Sequence, residues 1–256
     1  MPTLILSPRY TPDSAALWKA ALSIGWSVER LESYRVPEHL QGEDFVIYGE
    51  GLFARIVAES LALALLEPPH DWLAGVPIAS LQRRLQFTTL VQARAEFQPP
   101  LFVNPGDSSK SFDARVYQQQ SELPAGDDWD DTMPVIVSEP VSWLVEYRCF
   151  LLDGKAAALS VYKRAEQTID NAWNAPPQEL EEARQFCNRL ASSVHLPPSV
   201  VLDVGKIADR GWAVVEANPS WASGIYGCDV LEVLKVIQRG CVPQSALSAE
   251  DVRWVL

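Results

Sequence analysis

The hydrophobic pattern at the start of the chain alternates between two periods. Apolar residues form short runs at 3–7 and 45–48, as in buried strands, and a further strand is predicted at 26–31. Between them, apolar side chains recur at helical spacing over 13–24. Because strands that alternate with a helix are typical of a parallel sheet, we predict a small α/β unit in this segment.

Two glycines follow the second apolar run. Gly49 and Gly51 stand between the run at 45–48 and a helical pattern that extends to about Leu66. Their spacing approximates a dinucleotide-binding turn, but no convincing strand with a ribose-binding acid follows. We therefore favour the alternative interpretation, in which the glycines let a strand and a helix pack closely.

The next segment combines helical spacing with a polar loop. It predicts helical segments over 77–96, a strand at 101–105 and a loop at 106–111. Small residues surround one lysine, Lys110, in this loop. Such a loop can wrap phosphates with backbone N–H groups and a mobile ammonium, or it can be an ordinary hairpin tip.

The strongest turn signal in the chain is Asp153-Gly154. It joins two predicted strands at 145–152 and 155–162, and another strand is predicted at 135–141. An amphipathic helix is predicted at 178–194, and a last helix at about 229–239.

Charged residues on this predicted hairpin share one face. Pairing outward from the turn places Arg148 opposite Leu159 and Glu146 opposite Val161, with Lys163 one step further along. The three charged side chains then either line one wall of a site or form a plain cross-strand ion network.

A second predicted hairpin near the C-terminus carries acidic and amide groups among valines. Its strands are 200–205 and 212–219, with turn residues between them. Asp203 and Glu216 are equidistant from the turn, so their Cβ atoms are expected roughly 5 Å apart. Asn218 lies two residues beyond Glu216 and shares its face.

These oxygen donors predict a metal site. Two carboxylates inside an apolar sheet disfavour joint ionisation unless a cation lies between them. A set made only of oxygen atoms suits Mg²⁺, which takes one or two carboxylates and completes its shell with water and phosphates. The alternative is a hairpin whose polar edge faces water.

Composition narrows the class of protein. The chain has 256 residues, 48% of them hydrophobic, and a formal net charge of -12. This charge opposes nucleic-acid and anionic-membrane binding. No apolar run approaches a membrane span and the N-terminus lacks a signal-peptide pattern, so we expect a cytoplasmic protein. The four cysteines are scattered and the three histidines adjoin no evident nucleophile, which leaves little support for a zinc site, disulfides or a catalytic triad.

In chain order, these features resemble the ATP-grasp superfamily, and in particular small bacterial and phage members of uncertain substrate. The shared series is a strand with a glycine/serine flap, a hinge strand, a Glu-x-Arg hairpin, and an Asp-bearing strand followed by Glu-Ala-Asn-Pro. The resemblance covers about 100–240. It implies a fold of α/β and α+β parts, with a small pre-ATP-grasp-like α/β domain at 1–95 and a two-lobed ATP-grasp domain at 96–256.

The resemblance also implies an activity. ATP-grasp ligases use Mg-ATP to convert a substrate carboxylate to an acyl phosphate, which an amine or a thiol then attacks. ATP and Mg²⁺ are the implied cofactors, and the implied partners are small-molecule or peptide carboxylates and amines. A homodimer is left open.

Roles carry over to matching positions. Asp203, Glu216 and Asn218 would hold Mg²⁺, while Arg148 and Lys163 would be the catalytic cations that bind phosphate or the acyl substrate. The implied nucleotide contacts are backbone groups to adenine, a carboxylate at the ribose, a wall residue beside the phosphates and the flap lysine: Ile136, Val137, Ser138, Glu139, Glu146 and Lys110.

One position departs from the pattern. Many ATP-grasp proteins have a lysine on the flap strand just before the proline, where this chain has Asn104. Either Lys110 substitutes for it through its flexible stem, or nucleotide binding is weakened. The second case corresponds to a degenerate, non-catalytic ATP-binding module with a regulatory or partner-binding role.

Overall fold

The computed structural model of the protein describes residues 1–40, 44–106, 111–165 and 173–255. Its strands, in chain order, are β1 (Thr3–Leu6), β2 (Ser27–Arg30), β3 (Phe45–Tyr48), β4 (Leu63–Leu65), β5 (Leu85–Thr89), β6 (Leu101–Pro105), β7 (Arg115–Tyr117), β8 (Pro134–Ser138), β9 (Trp143–Leu152), β10 (Lys155–Arg164), β11 (Ser199–Ile207), β12 (Gly211–Asn218) and β13 (Cys241–Pro243). Its α-helices are α1 (Pro12–Ser23), α2 (Gly51–Ser60), α3 (Ile78–Leu81), α4 (Leu90–Ala95), α5 (Pro177–Ala191) and α6 (Val230–Arg239).

The contacts divide the chain into two units. The larger unit contains Met1–Pro69, Val145–Gly205 and Val215–Leu256, and the smaller unit contains His70–Leu144 and Lys206–Val214. The domain boundary at residue 95 that the sequence predicts stays a prediction.

The larger unit begins with the predicted parallel sheet. Its strand order is β2-β1-β3, and both pairs are parallel. Helix α1 starts at a capping box, in which the Thr11 hydroxyl accepts from the Ser14 backbone N–H at 3.0 Å and the Ser14 hydroxyl accepts from Thr11 N–H at 3.0 Å. The side chains of β1 and β3 form one buried core with the apolar faces of α2 and α6.

Helix α2 is shorter than its sequence pattern predicts. It ends at Ser60 rather than near Leu66, and β4 follows and pairs with β13. Ala62 has φ +52°, which breaks the helical path. The alternating run at 61–66 fits either period on its own, and pairing with a strand almost 180 residues later decides its structure.

A second, four-stranded sheet carries the charged hairpins. Its order is β10-β9-β11-β12, so the two predicted hairpins lie side by side, with β9 next to β11. Asp153 and Gly154 both have positive φ at the first turn, as do Asp209 and Gly211 at the second. This topology brings β9 residues next to the Asp203 strand.

The smaller unit contains an antiparallel sheet of order β5-β8-β6-β7. Its core lies under α4 and includes Leu90, Val103, Tyr117 and Val135. The prediction of helical segments throughout 77–96 is wrong for β5, which pairs with β8 along its whole length. The physical reason is that long-range pairing outweighs local propensity in a short segment.

Gly49 supports close strand-to-helix packing. A Cβ at Gly49 would lie 2.7 Å from Phe53 Cδ1 and 3.0 Å from Ser7 Cβ, whereas one at Gly51 would meet nothing within 4 Å. Phe53 is buried in the core, so it has little room to move.

We expect Gly49→Ala to reduce the free energy of unfolding by about 1–3 kcal/mol, because overpacking forces neighbouring groups apart. Urea denaturation measures this loss. Gly51→Ala is the matched control and should be neutral or slightly stabilising, because alanine favours a helix over glycine. Equal effects of the two substitutions would contradict the packing argument.

Candidate active site

A buried ion pair lies at the centre of the charged sheet. Asp203, on β11, has no exposed surface. Its Oδ1 accepts from Arg148 Nε at 2.9 Å and its Oδ2 accepts from Arg148 Nη2 at 2.6 Å. Arg148 also donates from Nη1 to the Gly224 carbonyl at 3.1 Å. Three hydrogen bonds therefore fix the plane of the guanidinium.

Burial dominates the electrostatics of this pair. It raises the pKa of Asp203 to about 7, a shift that Arg148 opposes and the nearby Glu216 charge reinforces. Burial acts to lower the pKa of Arg148, but the Asp203 carboxylate outweighs it and the net shift is upward. Because both oxygens of Asp203 accept from the guanidinium, we assign Asp203 as the ionised carboxylate.

The other two predicted metal residues adjoin this pair. Asn218 Nδ2 donates to Glu216 Oε1 at 2.8 Å, which confirms that the two side chains share a face. Glu216 Oε1 lies 4.0 Å from Arg148 Nη2, and its side chain is 44% exposed. The structure thus brings Asp203, Glu216 and Asn218 together around one guanidinium.

The donor set fits Mg²⁺. It offers two carboxylates and the Asn218 carbonyl oxygen, whose amide nitrogen already donates to Glu216. Within the described ranges, no group of three or more His, Cys, Asp or Glu side chains could hold a metal ion. The site therefore offers an oxygen set with few protein ligands, the kind that Mg²⁺ completes with water and phosphate.

The register of the β9–β10 hairpin differs from the prediction. Arg148 lies opposite Ser160 rather than Leu159, and Glu146 lies opposite Lys163 rather than Val161. The reason is that β10 has register shifts between Ala156 and Ala158 and between Val161 and Lys163. Each bulge adds one residue to β10, and a turn-based count cannot anticipate it.

This register pairs Glu146 directly with Lys163. Lys163 Nζ lies 2.6 Å from Glu146 Oε1, and the Tyr162 hydroxyl donates to Glu146 Oε2 at 2.7 Å. Glu146 is buried, whereas the Lys163 side chain is 63% exposed. The cross-strand ion pair is therefore present, and the nucleotide and catalytic roles of these residues stay predictions.

Two tyrosines complete the surroundings of Arg148. Its Cζ lies 4.7 Å from the Tyr226 ring centroid and 5.5 Å from that of Tyr162. Burial and the neighbouring carboxylates raise the pKa of Tyr162, so its hydroxyl stays protonated. Sequence reasoning gave Tyr162 no role, because the bulge that aims it at Glu146 has no local signal.

The predicted adenine contacts lie in the smaller unit. Ile136, Val137 and Ser138 belong to β8, which pairs with β5 on one side and β6 on the other. Its backbone groups are therefore used within the sheet. Asn104 lies on β6 opposite Ile136. Lys110 lies outside the described residues.

Glu139 follows β8 and is bound by two arginines. Its Oε2 accepts from the Arg84 backbone N–H at 3.0 Å and lies 3.3 Å from Arg84 Nε, while Oε1 lies 2.5 Å from Arg210 Nη1. The Arg84 backbone N–H and the Arg210 guanidinium lower the pKa of Glu139 to about 2. The carboxylate that was predicted at the ribose is thus already held by charge-assisted hydrogen bonds.

We expect Glu139→Gln to remove part of the pH dependence of stability. Because the folded pKa lies below the ordinary 4.5, the stabilisation is complete above about pH 4.5 and is lost as pH falls towards 2. Solvent screening should limit it to about 1–2 kcal/mol. Urea unfolding at pH 7 and pH 3 measures the difference, with the exposed Glu59→Gln as control. An unchanged pH dependence in Glu139→Gln would contradict this assignment.

Comparison with known proteins identifies the family. A family model for an ATP-grasp domain, the second family of its clade, matches residues 81–236. The chain therefore belongs to this ATP-grasp family, and the expected mixed α/β fold with an ATP-grasp domain is confirmed. No protein among the curated sequences matches the chain significantly.

Solved ATP-grasp structures share this fold at low identity. The D-cycloserine synthetase DcsG is 16% identical with a TM-score of 0.58, covering 93% of this chain and 98% of that chain. The ligase PsnB, complexed with minimal precursor, Mg and ADP, is 14% identical with a TM-score of 0.52, covering 93% and 97%. The macrocyclase MdnC from Microcystis aeruginosa MRC, bound with precursor peptide MdnA, is 10% identical with a TM-score of 0.57, covering 93% and 99%.

Proposed function

We propose that this protein is an Mg²⁺-dependent, ATP-dependent ligase. It would activate a carboxylate as an acyl phosphate and join it to an amine or a thiol. The observation that carries the proposal is the arrangement of Asp203, Glu216 and Asn218 around Arg148 in a chain of the ATP-grasp family.

The metal trio would hold Mg²⁺, which would neutralise phosphate charge and orient the transferring group. Asp203 supplies a fixed carboxylate, because burial and Arg148 leave it no alternative orientation. Glu216 supplies an accessible one, because nearly half of its side chain is exposed. Asn218 steadies Glu216 through its hydrogen bond.

Arg148 would orient the anionic substrate. A guanidinium has five N–H donors, and the contacts with Asp203 and Gly224 use one donor on each nitrogen. The second N–H groups of Nη1 and Nη2 would bind a phosphate or carboxylate oxygen. Since the plane is already fixed, the anion would be bound in a defined direction, and orientation of this kind can contribute about 7 kcal/mol or more to catalysis.

Lys163 would be a second, movable cation. Its side chain is mostly exposed and its ammonium pairs with Glu146. An exposed ion pair of this kind costs little to open. Lys163 would therefore reach the acyl phosphate, while Glu146 and Tyr162 would hold its resting position.

The nucleotide would be bound by the remaining predicted residues. Because β8 is paired on both sides, the contribution of Ile136, Val137 and Ser138 would come from side chains and from the strand's end. Glu139 would meet the ribose with lone pairs not used by its arginines, and Lys110 would supply the flap cation. ATP and Mg²⁺ as cofactors agree with the ADP and Mg named for PsnB.

The substrates would be a small-molecule or peptide carboxylate and an amine. DcsG is named as the synthetase of a small molecule, and MdnC was solved with a precursor peptide, so both sizes occur on this fold. None of the helices in the described part of the chain is long and apolar enough to span a membrane. We propose a cytoplasmic protein that binds neither membranes nor nucleic acid, with a homodimer left open.

The second candidate is a non-catalytic ATP-binding module. Asn104 favours it, because the flap strand lacks the usual lysine. The test is ADP release from Mg-ATP across a panel of carboxylates, beside a thermal shift with Mg-ATP. Stimulation by one acid, with a hydroxamate trapped when hydroxylamine replaces the amine, supports the ligase. A thermal shift with no stimulation by any acid supports the module.

A further inference from the structure

The peptide group between Gly224 and Ile225 links two charged side chains. Its carbonyl oxygen accepts from Arg148 Nη1 at 3.1 Å. Its N–H donates to Asp13 Oδ2 at 3.0 Å. Asp13 lies in the first turn of α1, more than 200 residues earlier in the chain. A single peptide plane therefore connects the N-terminal α/β segment to the guanidinium of the candidate site.

The geometry of a peptide group transmits orientation from one end to the other. It is planar and almost always trans, so its N–H and C=O point in opposite directions. When Asp13 fixes the direction of the Ile225 N–H, it also fixes the direction of the Gly224 carbonyl. A carboxylate that accepts the N–H also polarises the group, which makes its carbonyl a stronger acceptor for Arg148.

A neighbouring contact restrains the preceding peptide group. The buried Tyr48 hydroxyl donates to the Ser223 carbonyl at 3.0 Å. Burial raises the pKa of Tyr48, and the nearby Asp13 carboxylate raises it further, so the hydroxyl remains a donor. Gly224 is thus held on both sides by residues of the N-terminal segment.

We propose that Asp13 is a positioning residue that orients Arg148 through the Gly224–Ile225 peptide group, with Tyr48 as its support. The reaction that this orientation serves rests on the proposed function. Asp13 fixes the third hydrogen bond of Arg148, and this bond sets the direction in which the guanidinium presents its remaining N–H groups to an anion. The N-terminal α/β segment therefore contributes to the site without contacting the substrate.

Rotation of the Arg148 guanidinium tests the proposal without any substrate. In the wild type, ¹⁵N NMR should resolve separate Nη1 and Nη2 signals, assigned by their loss in Arg148→Lys. In Asp13→Ala they should merge, with rotation faster by about tenfold or more, since one of three bonds is lost. Asp13→Asn keeps an acceptor oxygen and should retain separate signals.

Enzymatic rates give the second readout. Asp13→Ala should lower kcat for Mg-ATP turnover about tenfold while the KM for ATP changes less than about twofold, because orientation rather than binding is lost. Asp13→Asn should stay within about threefold of wild type. Glu232→Ala is the matched control, because it also removes an acid from the first turn of a helix. It should change neither readout.

Several outcomes would overturn the proposal. They are separate Nη signals that persist in Asp13→Ala, merged signals in the wild type, or equal losses in Glu232→Ala. If Asp13→Ala does not fold, Tyr48→Phe replaces it, with Tyr117→Phe as control because Tyr117 also donates to a backbone carbonyl, at 2.8 Å. If the wild type lacks Mg-ATP turnover, the proposed function fails while the NMR result still decides this inference.

Discussion

Glu216→Ala should lower Mg²⁺-dependent ATP turnover by at least about 100-fold, because losing even an outer partner of a metal ligand typically costs 10–100-fold. The fold should survive. The Glu216 side chain is half-exposed, and its hydrogen bond in the described structure comes from Asn218. Its removal also takes a negative charge away from the buried Asp203, which relieves repulsion in the metal-free protein.

A matched variant separates metal binding from general loss of charge. Glu232→Ala removes a glutamate of similar exposure that pairs with Lys235 at 2.7 Å on a helix surface. Turnover should be unchanged, and urea unfolding should place both variants within about 1 kcal/mol of wild type. Mg²⁺-dependent turnover that persists in Glu216→Ala would remove Glu216 from the metal site.

Arg148→Met is expected to give the largest loss of stability. It leaves the Asp203 carboxylate in the core without its partner, and breaking a buried pair in this way costs about 3–5 kcal/mol. The loss should be greater at pH 8 than at pH 6. Burial already raises the folded pKa of Asp203 to about 7, and removal of Arg148 raises it further, so stability falls as pH rises towards that value.

A double mutant and a surface control complete this experiment. Arg148→Met with Asp203→Asn should recover part of the lost stability, because no buried charge remains. Arg164→Met removes an arginine from the half-exposed pair with Glu179 at 2.7 Å, and should cost no more than about 1 kcal/mol. Urea denaturation gives all four free energies. Equal losses for Arg148→Met and Arg164→Met would contradict the special burial of the Asp203 pair.

Arg148→Lys addresses catalysis rather than folding. Lysine keeps the charge but cannot form the planar, two-bond contact with Asp203 or hold the Gly224 carbonyl at the same time. In the proposed ligase, acid-stimulated ADP release should therefore fall much more than ATP binding. This selective loss would distinguish the ligase from a module that only binds nucleotide.

Local patterns determined most of the elements and the chemistry of the candidate site. Helix α1, the parallel strands around it and both C-terminal hairpins follow from periodicity and turn residues. The sequence also placed Glu216 and Asn218 on one face, because side chains two apart on a strand point the same way. These features depend on neighbours within a few residues, and the sequence displays them directly.

Tertiary structure decided the partners. Two bulges in β10 set Glu146 against Lys163, and the position of β9 beside β11 set Arg148 against Asp203. Residues distant in sequence made β4 and β5 strands, and brought Asp13 to the peptide group behind Arg148. Each outcome depends on burial and pairing between segments far apart in the chain, which no local periodicity encodes.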